Sequence, residues 1–93
     1  MSSTPFTIED QGDGEFFVRA EALGDEVAEL TISLADAESE SGGSLAADEP
    51  TATATMRFLL THQDAADLPW RVYIADVLAA YPDAADKIAA LRE

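Results

Sequence analysis

His62 is the only histidine in this sequence, the residue type best suited to general acid–base chemistry, and in Thr61-His62-Gln63-Asp64 a carboxylate follows two residues later, where it could orient the imidazole. A general base so placed still needs a nucleophile or a substrate pocket to act on. Cysteine is absent, and apart from Ser33 the serines gather at the N-terminus and between residues 39 and 44. A nucleophilic triad therefore has no third member, and His62 reads as a structural or exposed residue. As a metal ligand with Asp64 it would lack the further partners that a zinc site requires.

The carboxylates Glu9, Asp10, Asp13 and Glu15 form the second candidate, because hard cations such as calcium want several converging oxygens. Counted from Asp10, the twelfth position of a calcium loop is Glu21, an acid of the right type in the wrong context, inside an expected strand with no flanking helix. The segment reads as a solvated hairpin turn. No Gly-rich loop ends in Lys-Ser or Lys-Thr, and no Gly-x-Gly-x-x-Gly opens a helix, so nucleotide binding finds no motif. Residues Phe16 to Leu34 resemble the first hairpin of an acetyltransferase-type fold, but the arginine and glycine loop that would hold a coenzyme pyrophosphate is missing. No catalytic, cofactor-binding or metal-binding residue is expected, and no cofactor.

Composition sets the frame for what remains. The chain has 93 residues, with 19 Asp and Glu against 5 Lys and Arg and a formal charge of −14. That length is one domain, residues 1–93. Ala supplies 18 of the hydrophobic residues, and only 21 are Leu, Ile, Val or Phe, so the core must be thin. One Lys beside four Arg, with acids spread along the whole chain, resembles the composition of proteins from salt-in halophilic archaea. At molar salt the Debye length falls to about 3 Å, and the self-repulsion of such a chain is screened. Five dispersed cations oppose direct nucleic-acid binding. No apolar run approaches the roughly 18 residues of a membrane span, and the N-terminus lacks a signal-peptide pattern. The expected setting is the cytoplasm, or a virion.

Period-two alternation predicts strands at Phe6–Glu9, from Phe16 to Ala22, and from Ala28 to Leu34, with Phe16, Val18, Ala20, Leu30, Ile32 and Leu34 facing the core. Gly12 and Gly14 supply the turn between the first two. Residues 36–50 read as a flexible acidic loop in which only Leu45 has bulk to bury. Thr51 to Leu60 alternates again and predicts a fourth strand. From Pro69 the period changes, and Trp70, Tyr73, Ile74, Val77, Leu78 and Tyr81 predict one helical face packed on the sheet. Pro82 ends that helix, and Asp83 caps a last one through Arg92, with Ile88 and Leu91 inward. The expected fold is α+β: a small antiparallel sheet of about four strands with two C-terminal helices packed on one face.

Phe17, Leu23 and Leu59 fall on the nominal solvent face of these strands, where large apolar residues need a reason. They are the candidate protein-interaction residues. The function this suggests is a non-catalytic, small acidic protein-interaction or assembly subunit from a halophilic archaeon or its virus, meeting a second copy or another protein through the outer sheet face or an edge strand. No membrane, nucleic-acid or small-molecule partner is expected. Two other classes stay open: an inhibitor that mimics nucleic acid through the acidic loop and the Glu9–Glu15 turn, and a small enzyme using His62.

Overall fold

A computed structural model describes residues 6–22, 26–62 and 67–92. The first three strands, β1 (Phe6–Gly12), β2 (Glu15–Ala22) and β3 (Glu26–Ser33), form an antiparallel meander. Positive φ at Gly12, Asp13 and Gly14 closes the first hairpin. Alternation places Phe16, Val18, Ala20, Leu30 and Ile32 on one face, and all five are buried as the pattern predicts.

The sheet is completed in a different way from that expected. Thr51 to Leu60 is not a strand but most of helix α2 (Glu49–Leu60). Asp48 caps it, accepting the Thr51 N–H at 3.0 Å, and Pro50 occupies the first turn, where its missing N–H costs nothing. Of the threonines that argue against a helix, Thr55 turns its hydroxyl back to the Thr51 C=O (2.7 Å), while Thr51 is buried with its own hydroxyl unpartnered, a cost the helix carries. Their small size, with Ala52 and Ala54, lets α2 be buried along most of its length, where packing outweighs β propensity.

The fourth strand is β4 (Arg71–Tyr73), which begins inside the expected C-terminal helix and passes directly into α3 (Ile74–Ala80). Val72 is aligned with Ile32 and is buried, whereas Trp70 and Tyr73, expected in the core, are 74% and 46% exposed. β4 runs parallel to β3, because the long crossover through α2 returns the chain to the same end of the sheet. The sheet is therefore mixed, not antiparallel, in the order β1-β2-β3-β4.

Between β3 and α2 the segment 36–50 carries the one-turn helix α1 (Ala37–Glu40), and Leu45 is buried. Helix α4 (Ala84–Leu91) follows Pro82, with Ile88 buried as expected. Asp83 gives it no side-chain cap, and Leu91, expected inward, is exposed. Arg92 reaches from its end to the Asp48 carboxylate at 3.1 Å. One cluster joins the inner sheet face to Leu34, Leu45, Met56, Phe58, Ile74, Val77 and Ile88. No helix among the described residues is long and apolar enough to cross a membrane.

Candidate functional site

Strand pairing decides which side chains share the other face of the sheet. Glu9, Phe17, Thr31 and Arg71 are aligned in one row across all four strands. The row on one side is Glu15, Ser33 and Tyr73; on the other it is Thr7, Arg19 and Glu29, followed by Glu21 and Val27. Phe17 stands half-buried in the middle, and Val27 and Tyr73 stand exposed at opposite ends. Trp70 immediately precedes β4.

Two of the chain's five cations lie on this face, and both are paired. Arg19 meets Glu29 directly across the strands at 3.2 Å. Arg71 reaches diagonally to Glu15, and its guanidinium lies 5.5 Å from the Tyr73 ring centroid. The exposed Arg19–Glu29 pair contributes little to stability, whereas Arg71 and Glu15 are half-buried. The effect of both pairs here is to neutralise part of one face of a strongly acidic molecule.

The three sequence-designated residues separate. Phe17 is on the outer face as expected. Leu59 is a correction: at 3% exposure within α2 it belongs to the core, because the segment that carries it is helical. Leu23 lies outside the described residues. Trp70, Tyr73, Val27 and, at the end of α4, Leu91 are the apolar surface residues that period-based reading missed. The signal for two of them was present in Trp-Arg-Val-Tyr-Ile, a β-branched and aromatic run in which Val72 is the inward residue. Beside β4 a groove of about 160 Å³ is lined by Leu59, Leu68, Val72 and Val77, with Asp76 also contributing.

The chemical candidates are placed as follows. His62 is exposed; its ring stacks on Tyr81 with centroids 4.7 Å apart and meets the Phe58 ring edge to face with centroids 4.8 Å apart. An open pocket of about 380 Å³ adjoins it, lined also by Phe58, Thr61, Lys87 and Leu91. The Thr61 hydroxyl is engaged, donating to the Phe58 C=O at 2.6 Å. Asp64, the expected orienting carboxylate, lies outside the described residues. In the acidic turn, Asp10 accepts the Gly12 N–H at 2.8 Å, which makes it a turn residue. Among the described residues no group of three or more His, Asp or Glu is arranged to hold a metal ion.

The Asp48 carboxylate has a shifted proton affinity. Partial burial pushes the Asp48 carboxyl up, but hydrogen bonding from Thr51 and the charge of Arg92 outweigh it and hold the group below its ordinary value. That joins the start of α2 to the end of α4 and is a structural device. Set against known proteins, the chain matches no family model, no curated protein and no solved structure.

Proposed function

We propose that this chain is a non-catalytic protein-interaction or assembly subunit that meets its partner through the outer sheet face and the β4 edge. Phe17, Val27, Trp70 and Tyr73 supply the apolar contacts, and Arg71 stands among them. The observation that carries the reading is the exposure of Trp70 and Tyr73, 74% and 46%, in a chain with few large apolar residues to spend. Trp, Tyr and Arg are the residue types that dominate interface energetics. The arginines on this face are paired, which lowers the repulsion that any acidic partner would meet. The composition supports a salt-rich setting, in which apolar association strengthens and charge repulsion fades.

The reading is tested on the monomer by urea unfolding of Trp70→Ser and Tyr73→Ser. Residues that serve a partner should cost the fold no more than about 0.5 kcal/mol when replaced. A loss of about 2 kcal/mol or more in both variants would place these rings in the service of folding and overturn the proposal.

A further inference from the structure

Resting on that reading, we propose that the partner at β4 is a second copy of this chain, joined edge to edge by antiparallel pairing of β4 with the partner's β4 across a two-fold axis. The backbone sets the site. The Thr31 N–H donates to the Trp70 C=O at 2.8 Å, and Thr31 is aligned with Arg71. In a parallel ladder that phase turns the Thr31 groups toward β4 and leaves the N–H and C=O of Arg71 pointing away from β3. The two-residue repeat turns the Tyr73 N–H the same way. β4 is an edge strand, so these three groups face outward.

One register uses all three. With Arg71 opposite the partner's Arg71, each N–H donates to the other C=O, and each Tyr73 N–H reaches the C=O of the partner's Pro69. Proline brings no N–H that would go unpaired there. Trp70 then stands opposite the partner's Val72, on the side where the groove of about 160 Å³ opens, so each copy carries both the exposed ring and the apolar recess that an isologous contact needs.

Charge favours this edge over the other. Residues 68–75 contain no acid and each Arg71 brings its own Glu15, so Asp76 in the groove lining is the uncompensated acid at this edge in a chain of −14. The opposite edge, β1, exposes Glu9 and Asp10 and carries a register shift between Asp10 and Gly12, devices that discourage strand addition. A three-residue seam with two aromatics is smaller than the roughly 800 Å² per partner of a standard interface. The dimer is therefore weak, concentration-dependent and strengthened by salt.

The test is sedimentation equilibrium of the full chain in molar potassium chloride, with amide hydrogen exchange followed at several concentrations. The expected result is a monomer–dimer equilibrium in which protection of the Arg71 and Tyr73 amides rises with concentration. Arg71→Pro removes an outward N–H at an edge position that tolerates proline, and should weaken the dimer at least tenfold with an unchanged circular dichroism spectrum. Should that variant misfold, Trp70→Ser supplies the same readout. A monomer at every concentration, or a dimer whose Arg71 and Tyr73 amides exchange independently of concentration, overturns the proposal. So does a dimer lost in Phe17→Ser and kept in Arg71→Pro, which would mean pairing through the sheet faces. None of these results touches the monomer-stability test of the broader reading, so the two fail separately.

Discussion

Asp48 ties the start of α2 to the end of α4, and its replacement separates the contributions that keep α2 a helix. Its carboxylate accepts the Thr51 N–H at 3.0 Å, and it meets the Arg92 guanidinium at 3.1 Å. Removing an N-cap acceptor costs about 1 kcal/mol, within a range of about 0.5–2. The ion pair, with side chains 41% and 30% exposed, adds about 0.2–1 kcal/mol. Asp48→Ala should therefore lose about 1–2 kcal/mol, which at 4–8 °C per kcal/mol for a domain of this size is a fall in Tm of roughly 4–16 °C. Asp48→Asn keeps a capping oxygen and loses only the charge, so it should cost less than about 1 kcal/mol. The direction of the pH effect follows from the depressed carboxyl. The unfolded chain binds the proton more readily than the folded one, so this contribution is present above the unfolded value near 4 and disappears as pH falls through the folded value. Asp48→Ala should flatten that part of the acid limb. The assay is urea and thermal unfolding by circular dichroism, with Arg92→Ala completing a double-mutant cycle. If Asn costs as much as Ala, the cap is not the source of the loss. If Ala costs less than about 0.3 kcal/mol, α2 does not depend on this residue at all, and the account of why a Thr-rich alternating segment is helical fails.

Gly14 sits at φ +78°, and a Cβ built on it would come within 3.1 Å of the Ala35 backbone nitrogen, so Gly14→Ala should lose about 1–2 kcal/mol from backbone strain and more from the displaced loop. Gly12→Ala, at φ +84° with open space around it, should show the strain alone, and an equal loss at both positions in urea unfolding would contradict that distinction. Met56→Ala, deep in α2 and fully buried, should cost about 2–5 kcal/mol; a loss below 1 kcal/mol would mean the core is looser than its burial indicates.

The meander was legible because each strand has one buried face, and period-two patterning is strongest under that condition: Phe16, Val18, Leu30 and Ile32 all fall where alternation puts them. The pattern fails for α2, because alternating Ala and Thr also places small residues on successive helical positions. Period alone does not separate the two. Asp48 and Pro50 did separate them, as a cap and a first-turn proline, but both lay in a segment read as loop. The C-terminal third fails for the opposite reason. Trp70, Tyr73, Ile74 and Val77 fit a helical face, yet only Ile74 and Val77 are in a helix; a three-residue strand is too short to show a period, and its existence depends on pairing with Ile32. The proposed interaction surface was legible only at Phe17, where the strand was correctly placed. Leu59 went wrong with its segment, and Trp70 and Tyr73 were hidden by being assigned to the core.

The charge argument and the fold now constrain each other. With 19 carboxylates and five cations, of which Arg19, Arg71 and Arg92 are each committed to one carboxylate, most of the acidic surface has no compensating charge. The core set against this repulsion buries 13 Leu, Ile, Val and Phe side chains among the described residues, out of 21 in the whole chain. If the acidity is adaptation to salt, as the proposed setting implies, stability by urea or heat should rise steadily from dilute buffer to molar potassium chloride, because screening removes the repulsion while salt reinforces apolar burial. Association measured by light scattering on the same samples should rise with it. A chain equally stable in dilute buffer would show that the −14 charge is tolerated without salt. The acidity would then need a functional reason of its own, and the competition of the acidic β1–β2 turn with DNA for a basic protein would become the next experiment.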